Sequence, residues 1–171
     1  MVNQPAPQLL QSLIPPAMQE AIHIGIEDLP FVSRGDGQYT QLLHVDLLQN
    51  LVVIRARLEP GFSLPTHYHA GMVFAVTTQG SWYYAEYPEA VNKPGSYLFE
   101  PAGSVHTLTV PKDQDGETIV WFAVFGSSLD IGPDGQIEKV TDAHVALRGY
   151  RAACAAKGLN CDKLIVVGEH L

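Results

Sequence analysis

From residue 51 to residue 125 the chain runs in short segments of alternating apolar and polar residues, each closed by glycine, proline or asparagine. Residues 51–59 set the pattern. Val52, Ile54, Ala56 and Leu58 fall on one face, and Arg55, Arg57 and Glu59 on the other. A period of two marks a strand with one buried face, and Pro60-Gly61 ends it. Residues 71–79, 81–86, 96–99, 107–110 and 118–125 read as further strands, rich in β-branched or aromatic side chains. Gly132-Pro133-Asp134-Gly135 reads as a turn between two more short strands. Many short strands at regular spacing, joined by turn chemistry, fold as an antiparallel sandwich or barrel. The ends of the chain depart from this. Residues 1–26 read as an N-terminal arm, with one helical turn around Leu9–Leu13. Residues 141–157 carry Val145, Leu147, Tyr150, Cys154 and Lys157 at helical spacing, with Thr141 or Asp142 to cap the start and Gly158 to stop it. Gly149 weakens the middle of that helix by about 1 kcal/mol relative to alanine. Ile165-Val166-Val167 reads as a returning strand.

Composition narrows the function classes. With 171 residues, 46% hydrophobic and 16% charged, one domain spanning 1–171 accounts for the length, its barrel core at 40–126 and its helix at 141–158. Ten basic residues against eighteen acidic ones leave a net charge of −8. A nucleic-acid partner is therefore not expected, because phosphate binding wants a basic face. No apolar run is long enough for a membrane span, and the N-terminus lacks the basic and apolar blocks of a secretory signal. Cys154 and Cys161 read as reduced thiols of a cytoplasmic protein, with a bridge between them still open.

Of the seven histidines, His23, His44, His144 and His170 stand alone and read as surface or structural residues. His67 and His69 stand two apart in an extended segment, so their imidazoles project to one side. Such a pair suits Zn, Fe, Ni or Cu. The third histidine repeats the arrangement. A strand at 97–99 runs into the turn Pro101-Ala102-Gly103-Ser104, and the next strand begins with Val105-His106. Two such hairpins facing each other across a barrel bring His106 opposite the His67/His69 pair.

The segment Gly61-Phe62-Ser63-Leu64-Pro65-Thr66-His67-Tyr68-His69, closed by Gly80, resembles the first cupin motif. Gly95-Ser96-Tyr97-Leu98-Phe99-Glu100-Pro101-Ala102-Gly103-Ser104-Val105-His106 resembles the second. The resemblance implies a double-stranded β-helix, or jelly-roll barrel, with a metal inside. Many cupins place a glutamate four residues after the second histidine. Here that position is Val73, so the implied metal site is His67, His69 and His106, neutral in ligand charge and open to other ligands, as metal catalysis requires.

Trp82-Tyr83-Tyr84, then Glu86-Tyr87-Pro88-Glu89, then the second motif resemble the 2,4′-dihydroxyacetophenone dioxygenase branch of the cupins. The three histidines, with a glutamate six residues before the last, are also similar to acetylacetone dioxygenase. The resemblance implies Fe(II) and O2 cleaving a carbon–carbon bond beside a carbonyl, in a dicarbonyl or hydroxy-ketone. A zinc or nickel isomerase or hydrolase and a metal- or ligand-sensing cupin remain open as alternatives. On residues alone, the aromatic run at 82–87 also reads as plain cross-strand packing.

Further expectations follow. If His67 and His69 face inward, an unbroken strand also turns Gly71, Val73, Ala75 and Thr77 inward. Those small side chains either open a pocket or simply let a narrow barrel close. Met72, Phe74 and Val76 then face outward. Glu86, Glu89 and Glu100 are candidate helpers. Glu100 either accepts from a ligand imidazole or a metal-bound water, or pairs with Arg55 or Arg57 at the barrel mouth. A homodimer is expected, with residues 51–58 or the N-terminal arm at its interface.

Overall fold

The computed structural model describes residues 21–35 and 37–169. The expected helical turn near Leu9–Leu13 and most of the N-terminal arm lie outside the described residues. Among the described residues thirteen strands and one helix follow one another. The alternating segments become strands close to where the period of two places them. They are β3 (Leu51–Leu58), β4 (His67–His69), β5 (Val73–Gln79), β6 (Tyr83–Tyr84), β7 (Tyr97–Glu100), β8 (Val105–His106), β9 (Leu108–Thr109) and β10 (Thr118–Phe125). Ahead of them come β1 (Val32–Gly35) and β2 (Gln38–Asp46), and after them β11 (Ser128–Ile131) and β12 (Ile137–Thr141). Gly132–Gly135 makes the turn between β11 and β12, closed by Gly135 N–H donating to Gly132 O.

The strands form a jelly roll. One sheet runs β1-β2-β3-β10-β5-β7, and a second runs β12-β11-β4-β8. β6 and β9 form a short ribbon. A last strand, β13 (Ile165–Val167), lies parallel to β2. On β5, Val73, Ala75 and Thr77 are buried while Met72 and Val76 are exposed, so the inward and outward sides are as the alternation predicts. The inward residues do not open the pocket, however. Thr77 accepts a hydrogen bond from Trp82 Nε1 at 2.9 Å, and Ala75 joins Trp82 and Val120 in the core. Gly71 serves a close approach: a Cβ there would run into the Phe125 carbonyl.

Helix α1 (Ala143–Ala156) buries Ala143, Leu147, Tyr150 and Cys154 against β1, β2 and β3. Asp142 caps it, its Oδ1 accepting from Val145 N–H at 2.7 Å. Of the other residues at helical spacing, Val145 is half-buried and Lys157 is exposed at the helix's C-terminal end. Cys154 and Cys161 are free thiols. Among the described residues no helix is long and apolar enough to cross a membrane.

Candidate metal centre

β4 is short and its burial alternates. His67 and His69 face inward and Tyr68 lies between them on the other side. β8 pairs with β4 so that His67 stands directly opposite His106. Directly paired residues share a face, so the register alone brings the third imidazole to the first two. The turn of the second motif is tied to the first motif. Gly103 N–H donates to His69 O at 2.8 Å, and His69 N–H donates to Ser104 O at 3.0 Å.

His67 meets His69 and His106 edge to face, with centroids 4.8 Å apart in each pair, and His69 and His106 lie tilted at 5.4 Å. One ring nitrogen from each lies within 4.8 Å of the others. His67 Nδ1 is 2.9 Å from Pro65 O. A carbonyl only accepts, so that nitrogen holds the proton and Nε2 presents its lone pair. All three histidines are buried. Burial lowers His67, and lowers His69 to about 4, so both are neutral at pH 7. His69 Nδ1 and His106 Nε2 are buried without a hydrogen-bond partner of good geometry. Three buried imidazoles that each bring one ring nitrogen to a common point fit a divalent first-row metal. The site could hold such an ion.

Glu100 is the one candidate glutamate that reaches the imidazoles. It ends β7, and the register places it beside Val73 on the inner face. Its Oε2 lies 3.3 Å from His69 Nε2 and 3.2 Å from His106 Nε2. Burial pushes the Glu100 carboxyl up, but the close His106 and His69 imidazoles and the Tyr84 hydroxyl outweigh burial and hold it below its ordinary value. Glu100 is therefore an ionised carboxylate against the histidines. The arginines weighed as its partners are engaged elsewhere. Arg57 pairs with Glu117 at 3.5 Å, and Arg55 lies over the Trp121 ring. Glu86 accepts from Thr107 N–H at 3.0 Å, and Glu89 is exposed in a turn.

Tyr84 escaped the sequence reading as a site residue. Its ring stacks on His106 at 3.9 Å and packs edge-on against Trp82. Its hydroxyl donates to Glu100 Oε1. Burial and the neighbouring Glu100 charge push the Tyr84 phenol up, so it stays protonated and keeps donating. The available signal was Trp82-x-Tyr84, two aromatics on one face of a strand ahead of the second motif.

A cavity of about 480 Å³ opens from the histidines. Leu42, Ile54, Leu58, Phe62, Leu108 and Phe122 supply most of its apolar wall. Its volume thus comes from the broad span of the larger sheet, and not from the small residues following His69.

Similarities to known proteins agree with this architecture. The model of the ChrR Cupin-like domain matches residues 19–128. A protein of unknown function with a cupin-like fold from Ralstonia eutropha is 31% identical, over 89% of this chain and 95% of that one, with a TM-score of 0.81. An acetylacetone dioxygenase from Acinetobacter johnsonii is 21% identical, over 78% of this chain and 92% of that one, with a TM-score of 0.67, a likeness of fold. No curated protein matches. The family match takes in both histidine turns and the strands that join them; the chain belongs to the ChrR cupin-like domain family.

Proposed function

We propose that the protein is a nonhaem Fe(II)-dependent dioxygenase that cleaves a carbon–carbon bond beside a carbonyl in a dicarbonyl or hydroxy-ketone. The observation that carries the reading is the convergence of three buried imidazoles at the end of an apolar cavity of small-molecule size. The fold likeness to an acetylacetone dioxygenase and the matching motif residues support it. Both atoms of O2 enter the products as the bond breaks, leaving a carboxylate and a second carbonyl.

Iron(II) bound at the histidines supplies a Lewis acid for the ketone oxygens and electrons for O2. The residues of the chain set the conditions. The imidazoles bring no negative charge, and the Glu100 carboxylate beside them would offset only part of a divalent charge, which favours an enolate over a neutral ketone. Glu100 sets its carboxylate against the His69 and His106 nitrogens, and Tyr84 fixes Glu100 by donating to its other oxygen. The apolar walls exclude water from the reacting carbon. The free thiols Cys154 and Cys161 suit a reducing, cytoplasmic setting.

The test is anaerobic loading with Fe(II), followed by oxygen uptake with a panel of 1,3-diketones and hydroxyacetophenones. Uptake matched by carboxylate release is expected. An iron-loaded protein that consumes no oxygen with any chelating ketone overturns the proposal and leaves the zinc or nickel enzyme and the sensor. Zinc in the purified protein decides nothing, because imidazole sites generally prefer Zn(II) to Fe(II).

A further inference from the structure

The inner face of the smaller sheet continues beyond the histidines. Lys139 on β12 pairs with Asp130 on β11, Asp130 with His67, and His67 with His106. These four side chains form one row on one face. With strands about 4.8 Å apart, the Lys139 backbone stands roughly 10 Å from that of His67. Lys139 Nζ lies 3.5 Å from Asp130 Oδ2.

Arg34 reaches the same end of the cavity from the other sheet. β1 and β12 are the outer strands of the two sheets, and α1 packs against both. Arg34 lies in β1 where the register shifts between Ser33 and Gly35, and both Ser33 and Arg34 line the cavity. Its Nη1 lies 3.5 Å from where a Cβ on Gly149 would sit. Arg34, Asp130 and Lys139 all line the cavity that begins at His67 and His69. Among the described residues Arg34 has no ion-pair or hydrogen-bond partner. Two cations against one carboxylate leave a positive charge in excess at this end. Charged side chains on outer strands also discourage strand pairing, but that role does not require them to face a cavity.

We infer that the cavity takes a two-ended ligand. A chelating ketone sits at the histidines, a carboxylate or similar anion at Arg34 and Lys139, and an apolar middle, such as an aryl ring, against Leu42, Ile54 and Phe122. The inference rests on the proposed ketone-binding role of the histidines. A guanidinium matches a carboxylate with two parallel hydrogen bonds, and an arginine with no partner among the described residues gives up none of those to make them. Arg34 is exposed, so solvent screens its charge and the effect is moderate.

The test compares para-acetoacetylbenzoate with its methyl ester. The two differ in charge at the far end and share the diketone and the ring. Binding to the zinc-loaded full chain is measured by calorimetry without oxygen, so no turnover is needed. The acid is expected to bind about tenfold more tightly than the ester at low salt, and the preference shrinks as salt rises. Arg34→Gln is expected to remove most of the preference while leaving the ester's affinity unchanged. Lys139→Gln weakens the acid because it leaves Asp130 uncompensated. Asp130→Asn frees Lys139 and raises the acid's affinity. Equal binding of acid and ester by the wild type, no binding of the acid, or equal weakening of both probes by Arg34→Gln overturns the inference. Oxygen uptake is read separately. An iron-loaded chain that binds the acid through Arg34 and consumes no oxygen removes the dioxygenase reading and leaves the anion site standing.

Discussion

Glu100 and His106 touch the same point through different chemistry, and substitution separates their roles. His106→Ala removes one of three imidazoles, and most metal retention is expected to go with it, read by metal analysis after gel filtration. Glu100→Gln keeps the shape and removes the charge. Metal is expected to stay largely bound while oxygen-dependent turnover falls about 10–100-fold. Wild-type metal content and wild-type turnover in that variant would end the role assigned to Glu100. Acid should act on the same residues. Burial pushes the His69 imidazole down from 6.5 to about 4 in the fold, and lowers His67 too. As pH falls, the unfolded chain takes up protons first. The metal-free chain therefore holds its full stability above about pH 6.5 and loses it as pH drops towards 4. The lowered Glu100 carboxyl adds a loss in the same direction below its ordinary 4.5. The urea midpoint of the metal-free protein should be lower at pH 5 than at pH 7, and the difference should shrink in His69→Asn. These residues were legible because the two motifs space them. Tyr84 was not, since its role depends on a ring stack and a hydrogen bond across 16 residues.

Among elements, the strands that alternate cleanly were readable, and β2 was harder. Its register slips between Leu42 and His44, so Leu42 and Leu43 are both buried and the period of two is interrupted. The aromatic segment gives only the two-residue β6, because its hydrogen bonds turn at Tyr87 and Ala90. Gly71→Ala would push a Cβ into the backbone of β10's end, at an expected cost of about 1–3 kcal/mol. Asp142→Ala removes the cap of α1 and should cost about 1 kcal/mol. Urea unfolding of the metal-free proteins reads both. Equal stability of wild type and Gly71→Ala would mean that the β5 and β10 ends separate easily.

For the molecule as a whole, assembly remains as a proposal: a homodimer. β3 is hydrogen-bonded on both sides, to β2 and β10, so residues 51–58 offer no free edge. The exposed apolar side chains of the larger sheet gather on β5 and β7. Tyr97 is 64% and Phe99 52% exposed, flanked by Met72 and Val76 and joined through the Phe74 ring. β7 also ends its sheet. A second copy covers this face best, because a twofold contact sets the same uncharged patch against itself. Sedimentation at micromolar concentration should find twice the 18.6 kDa chain mass, reduced to one chain by Phe99→Glu. A wild-type protein that sediments only as one chain would refute the dimer.

Local spacing was enough for an antiparallel sandwich or barrel, the two histidine turns and the C-terminal helix, because each rests on periodicity or turn chemistry within about ten residues of chain, and the resemblance of the two motifs narrowed the barrel to a jelly roll. Long-range register settled the rest. The pairing of β4 with β8 places His106 across from His67, and the pairing of β4 with β11 carries the row on to Asp130 and Lys139. Arg34 joins them from 105 positions before Lys139 in the chain, through a different sheet. No local pattern encodes such a meeting, since it depends on which strand edges hydrogen-bond and how the two sheets face each other. That is why the metal-binding end of the cavity could be read from the sequence and its opposite, charged end emerged only from the fold.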